Sequence, residues 1–314
     1  MAQWSSMELR IFVEPQQGAT YADQLAVART AEAAGFGAFF RSDHYVAMNV
    51  DGAPGPTDSW ITLGAIGRET STIRLGTLVT SATFRFPGPL AISVAQVDEM
   101  SGGRVELGLG AGWFEEEHAA YAIPFPDVKE RFDRFEETLE IVTGLWESQG
   151  PYTFRGEHFS LVDSPALPKP AQKHVPIVLG GAGKKRSAAL AARFADEYNT
   201  PFVPVTEAAA VWARVDAAAA AAGRDPQSIV KSAAQVVCGG HDEATVARRA
   251  ATIGRELPEL RENGLTGSAG EIVDKLGTFA EAGASRVYLQ VLDQSDLDHV
   301  EWIGAEVLPQ VADL

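Results

Sequence analysis

The chain has 314 residues, 46% hydrophobic and 22% charged, with a formal net charge of −16. That acidity argues against a basic face for nucleic-acid phosphates and against attraction to an anionic membrane surface. One cysteine (Cys238), no signal-like amino terminus and no apolar run near the roughly 20 residues of a membrane span make a cytoplasmic protein without disulfides the expectation.

In chain order, residues 8–14 alternate Leu9, Ile11 and Val13 as a strand does. A helix follows over 20–35, with Thr20 as N-cap and Gly35 closing it. Residues 37–44 form a short apolar run with a polar end, RSDH, and a loop rich in Gly, Pro and Asp (49–58) leads to a helical stretch. Strands are predicted over 73–81 and 104–112, with a helix between them. Phe132, Phe135, Leu139, Val142 and Trp146 then recur at spacings of 3 and 4, one apolar stripe of a helix. The second half repeats the scheme. Strands are expected over 175–181, 197–202, 229–239 and 285–293, separated by helices. Extra helix is expected in 240–270, and a closing helix carries Val300, Ile303, Val307 and Val311.

Strands alternating with helices imply parallel pairing and right-handed crossovers. Eight such pairs fit a closed (β/α)8 TIM barrel with insertion segments; a doubly wound open sheet is the alternative. Residues 31–40 and 280–289 repeat one device: helix end, glycine, strand. The Pro-rich stretch 163–176 reads as an excursion between units, and no composition break marks a linker, so one domain over 1–314 is expected.

A barrel of this kind places its active face at the carboxyl ends of the strands, and three motifs fall there. In VLGGAGKKRS, Gly180, Gly181, Ala182 and Gly183 lie where a strand turns into a helix, followed by Lys184, Lys185 and Arg186. Glycines let backbone N–H groups approach an anion, and the helix N-terminus adds partial positive charge. Cations there are unfavourable unless an anion is bound, so the stretch reads as a phosphate clamp; a solvated tight turn is the bland alternative. It is neither a P-loop nor G-x-G-x-x-G, because Lys185 and Arg186 occupy the positions those patterns need. In ELGLGAGWFEEEH, Gly108, Gly110 and Gly112 are spaced to let a flat ring lie against bare backbone. Glu115, Glu116 and Glu117 read as the acidic first turn of a helix, and no metal site is expected. In RSDHY, Asp43 beside His44 reads as a pair that fixes one imidazole tautomer and leaves the other nitrogen for proton transfer, or as a satisfied structural histidine.

Together with TSTIRLGTLVTSATFRFP (70–87), DEMSGGRVELGLGAGWFEEEHAAYAIPFP (98–126) and RFDRFEETLEIVTGLW (131–146), these motifs resemble the bacterial luciferase-like superfamily, and especially its F420-dependent oxidoreductase branch. The resemblance implies a deazaflavin or flavin lying across the carboxyl face. It implies a bulge, often with a non-prolyl cis peptide, at Leu78, Val79 and Thr80 behind the ring. It places Asp43 and His44 near the reactive face and the cofactor's phosphate at Gly180 to Arg186. One departure stands out. Sugar-phosphate dehydrogenases of this branch carry a carboxylate directly after the fourth-strand glycines, where this chain has Trp113 and then Phe114. That rim implies a wider apolar chamber, shaped with Phe84, Arg85 and Phe86. The expectation is therefore hydride exchange between coenzyme F420 and an apolar small molecule, with His44 moving the proton. An FMN-dependent monooxygenase and a non-catalytic pigment-binding barrel are the alternatives, and a homodimer through amino-half helices is common in such families.

Overall fold

The computed structural model describes residues 7–48, 50–312 and 314. Eight strands form the wall: β1 (Glu8–Val13), β2 (Ala38–Arg41), β3 (Arg74–Thr77), β4 (Val105–Gly110), β5 (Ile177–Gly180), β6 (Glu197–Pro201), β7 (Val230–Gly239) and β8 (Arg286–Gln290). Each pairs in parallel with the next. β8 returns to β1 through Glu8↔Arg286 to Phe12↔Gln290, which closes the barrel. Around it run α1 (Tyr21–Ala34), α2 (Ser59–Glu69), α3 (Pro87–Ser101), a short α4 (Glu115–Ala120), α5 (Val128–Glu147), α6 (Lys185–Phe194), α7 (Val205–Ala221), α8 (Glu243–Thr252), α9 (Leu257–Asn263), α10 (Ala269–Glu281) and α11 (Leu297–Trp302). Among the described residues no helix is long and apolar enough to cross a membrane.

The period-two pattern of β1 sorts its side chains. Leu9, Ile11 and Val13 join the main core beneath the helices, while Arg10 and Phe12 point inside the barrel. Phe12 packs there with Ala38, Phe40, Val178, Ala234 and Tyr288, forming an apolar floor under the mouth. Below it, at the amino ends of the strands, three arginines interleave with three glutamates. Arg10 donates to Glu106 at 2.6 and 3.2 Å and to Glu8 at 2.8 Å. Arg286 donates to Glu8 and Glu197, each at 2.7 Å, and Arg74 also donates to Glu106. Burial pushes the Glu106 carboxyl up, but the charge and hydrogen bonds of Arg10, then Arg74, hold it below the usual range. Thr20 caps α1 reciprocally with Asp23, and Gly35 ends it in the left-handed region at φ 91°.

Several expectations shift in detail. The strand predicted over 73–81 breaks: β3 stops at Thr77, the Leu78–Val79 peptide is cis, and Thr80–Ser81 then pairs with Leu109 and Gly110. An antiparallel hairpin, Tyr152–Arg155 with Ser160–Ser164, precedes the Pro-rich stretch. Its turn is gathered by Glu137, whose carboxylate accepts the N–H groups of Glu157 (2.6 Å), His158 (3.1 Å) and Phe159 (2.8 Å). The 240–270 segment holds α8, α9 and a short strand, Leu265–Gly267, paired with the end of β7. The closing helix widens after Trp302 into a π turn over Ile303–Val307, where Gly304 presses on Ala34.

Candidate active site

The break after β3 sets the back of the mouth. Trp60 Nε1 donates to Thr80 Oγ1 (3.1 Å), Thr80 donates to Thr77 Oγ1 (3.1 Å), and Thr77 donates to the Gly108 carbonyl (2.9 Å). Thr80 is therefore fully buried, with its hydroxyl bonded within the wall. Leu78 instead packs onto the floor around Phe40 and Tyr288. The glycines of β4 make room for this break. A Cβ on Gly108 meets the Thr77 carbonyl oxygen at 1.8 Å, and one on Gly110 meets Val79 Cγ2 at 2.9 Å. Gly112, at φ 79°, leaves room for Ser81 Oγ, 2.6 Å from its missing Cβ.

His44 follows β2 and lies at the mouth, 18% exposed. Its partner is Glu117, not Asp43. His44 Nδ1 lies 3.0 and 3.1 Å from the two Glu117 oxygens, and the Tyr45 N–H donates to the same carboxylate at 3.0 Å. Asp43 turns the other way, as sequence neighbours leaving a strand do. It accepts both Arg85 terminal nitrogens, at 2.5 and 3.2 Å. Arg85 also donates to Asp58 (2.6 Å) and Tyr45 Oη (3.1 Å), so it is held in an ion pair behind the site rather than free to line a substrate chamber. Burial pulls the Arg85 guanidinium down, but Asp43 outweighs it and the group is raised overall. Of the three consecutive glutamates, Glu115 and Glu116 face solvent as an acidic helix start does, whereas Glu117 is 1% exposed. Its place in the first turn of α4 suits a carboxylate. Glu14, at the end of β1, completes the set. Burial pushes its carboxyl up, and the nearby His44 charge pulls it part of the way back.

Aromatic rings wall this polar centre. Trp113 and Phe114 stack on each other at 5.2 Å and present themselves to the His44 ring at 5.6 and 6.1 Å. Phe84 stacks on Tyr45 at 4.8 Å and lies 5.2 Å from His118. Phe86 is exposed, 6.3 Å from Phe159.

The glycine loop after β5 takes left-handed backbone at Gly181 (φ 121°) and Gly183 (φ 58°). Their own N–H groups are already used: Gly181 donates to the Asn199 carbonyl (3.1 Å) and Gly183 to Tyr198 Oη (3.0 Å). Gly180 packs against Asn199. Arg214 of α7 holds the carbonyls of Ala182 (2.8 Å) and Gly183 (3.2 Å). Lys184 is the N-cap of α6 and makes no side-chain capping bond, and Lys184 and Lys185 are both exposed. Arg186 does not join them. It donates to Asp133 (2.6 Å) and the Lys129 carbonyl (3.1 Å) and lies over the Phe132 ring. The exposed cations of the loop are thus Lys184 and Lys185 at the N-terminus of α6, and Arg214 braces the loop from α7, a role that the alanine-rich pattern of α7 concealed. Among the described residues no group of three or more His, Cys, Asp or Glu is placed to hold a metal ion.

The sequence profile described as luciferase-like monooxygenase matches residues 7–263, well over half the chain. The chain belongs to the luciferase-like monooxygenase family. Among luciferase-like relatives, it is 35% identical over 237 residues to the F420-dependent hydroxymycolic acid dehydrogenase of Mycobacterium tuberculosis, covering 74% of this chain and 62% of that protein. It is 37% identical over 172 residues to the F420-dependent glucose-6-phosphate dehydrogenase of Microbacterium testaceum, covering 54% of this chain and 49% of that one. The chain spans about half to two thirds of the length of the curated relatives it matches. A solved structure, an F420-dependent secondary alcohol dehydrogenase in complex with an F420–acetone adduct, superposes with a TM-score of 0.83 at 24% identity, covering 98% of this chain and 99% of that one. It shares the luciferase-like barrel.

Proposed function

We propose that this luciferase-like protein is an F420-dependent oxidoreductase acting on an apolar small molecule, with His44 as the group that moves the proton. The observation that carries the reading is the His44–Glu117 pair at the barrel mouth beneath the Trp113–Phe114 wall. Two relatives named as F420-dependent dehydrogenases support the choice of cofactor.

The residues present fit such a group. Leu78 and Val79 back a flat ring above the apolar floor, and Lys184, Lys185 and the start of α6 suit an anionic tail. Bound F420 supplies a ring carbon able to give or take a hydride. The chain's own work is acid–base chemistry and exclusion of water. With Nδ1–H donated to Glu117, the neutral His44 ring keeps an Nε2 lone pair able to accept an alcohol proton. The charged ring has an Nε2–H to give to a carbonyl oxygen, and buried Glu117 balances its charge. The carboxylate missing after the β4 glycines is thus supplied from the first turn of α4, leaving Trp113 and Phe114 free to face an apolar substrate. Exposed Ile61 on α2 and Ile92 on α3 support a homodimer through the amino-half helices, which sedimentation velocity reads directly.

The deciding experiment titrates the purified protein with F420 and FMN side by side, read by fluorescence. Tighter binding of F420 is expected. Preference for FMN overturns the reading in favour of a monooxygenase, and tight binding without turnover in a His44-intact protein favours a carrier.

A further inference from the structure

His118 follows Glu117 on α4 and is not needed for proton transfer, yet it is 1% exposed and bonded at both ring nitrogens. Nδ1 lies 2.7 Å from the Phe114 carbonyl, which accepts only, so Nδ1 carries the hydrogen. Nε2 therefore accepts, and Thr83 Oγ1, 2.6 Å away, donates to it. Thr83 in turn accepts from Ser81 Oγ at 2.6 Å. The chain runs in one direction, Ser81 to Thr83 to His118 to the Phe114 carbonyl. It begins on the segment that backs the mouth and ends on the loop that carries the aromatic wall.

Two independent features are built around this chain. Gly112, at φ 79°, leaves open the space where a Cβ lies 2.6 Å from Ser81 Oγ and 3.0 Å from Thr83 Oγ1. The imidazole is flanked by Phe84 at 5.2 Å and Phe125 at 4.4 Å, which exclude water from the bonds. The one carbonyl that His118 grips belongs to Phe114, stacked on Trp113 beside His44.

We infer that His118 is a positioning residue that locks the Trp113–Phe114 wall to the Ser81–Thr83 segment, and so sets how an apolar substrate is held against His44. This rests on the proposed reading of the mouth as a substrate site. Loss of the Thr83 hydroxyl leaves Nε2 buried without a donor, the kind of defect that costs enough to change a population about tenfold. The imidazole then finds another partner and releases the Phe114 carbonyl.

The test uses Thr83→Val, which removes the hydroxyl at nearly constant volume, and Thr83→Ser, which keeps it. Protein labelled with 5-fluorotryptophan gives one 19F resonance per tryptophan, six in all, and Trp113→Phe assigns that of Trp113. A single sharp Trp113 line is expected in the wild type and Thr83→Ser, and a shifted or broadened line in Thr83→Val. With F420 and 2-octanol, Thr83→Val is expected to raise KM about tenfold, with kcat and F420 affinity within about twofold, and Thr83→Ser to restore KM. An unmoved Trp113 line in Thr83→Val overturns the inference. So does a fall in kcat or F420 affinity that Thr83→Ser fails to rescue. If wild-type protein binds no F420 and turns over no alcohol, the functional reading fails, and the 19F comparison still decides the role of His118.

Discussion

Gly108→Ala tests the frame on which the site is hung. The new Cβ falls 1.8 Å from the Thr77 carbonyl oxygen and 3.0 Å from Val79 Cγ1. An ordinary carbon–oxygen contact needs about 3.3 Å, so the end of β3 has to retreat by about 1.5 Å. The obstacle is backbone and no side-chain rotation relieves it. Retreat breaks the Thr77 hydroxyl bond to the Gly108 carbonyl and unseats Thr80 from Trp60. Overpacking of this kind costs about 1–3 kcal/mol and each of the two lost buried hydrogen bonds about 1 kcal/mol more, so a loss of about 3–5 kcal/mol is expected. Urea unfolding followed by circular dichroism reads it, with Gly88→Ala in α3 as control, since a Cβ there meets nothing within 4 Å. The control is expected to be neutral or to stabilise by up to about 1 kcal/mol. A Gly108→Ala protein as stable as the control refutes the close approach, and with it the account of why this strand is rich in glycine. Gly110→Ala, which meets only the Val79 side chain at 2.9 Å, is expected to fall between the two.

Glu117→Gln keeps the shape of the His44 partner and removes its charge; kcat is expected to fall about tenfold while F420 affinity holds, as steady-state kinetics with F420 will show. Lys184→Gln with Lys185→Gln is expected to weaken F420 binding and flatten its dependence on salt, whereas Arg186→Gln, whose charge is committed to Asp133, leaves both nearly unchanged in the same fluorescence titration. Glu32 accepts the N–H groups of Ser71, Thr72 and Ile73 at 2.8, 2.6 and 3.0 Å. Burial raises its carboxyl, but these bonds outweigh it and bring the group from the ordinary 4.5 to about 2. The folded value is depressed, so this stabilisation is whole above about 4.5 and is lost as pH falls toward 2. Urea midpoints between those limits are expected to fall less steeply in Glu32→Gln than in the wild type.

Local signals carried the architecture. The alternation of Leu9, Ile11 and Val13, the Thr20 cap and the stripe from Phe132 to Trp146 each depend on near neighbours in the chain, and each forms the element expected. The break at Leu78–Val79 follows from likeness to a family and from no local pattern. What escaped depends on contacts between distant segments. Whether Asp43 or Glu117 faces His44 is decided by a helix 73 positions away, and adjacency in sequence pointed to the wrong carboxylate. Arg85 and Arg186 look like free cations until Asp43 and Asp133 are brought to them by other elements. The glycines of β4 were legible as a demand for space, but the occupant of that space, the end of β3, is known only once the strands are side by side.

The interleaved arginines and glutamates at the foot of the barrel have a kinetic consequence. With Arg10, Tyr288 and Phe40 all but sealed from solvent, the described residues make the barrel a cup closed at its foot. On the proposed oxidoreductase reading, whatever enters over the rim leaves over the same rim, so reactant and product share one doorway. On that reading, a product that lingers there stands in the way of the next reactant.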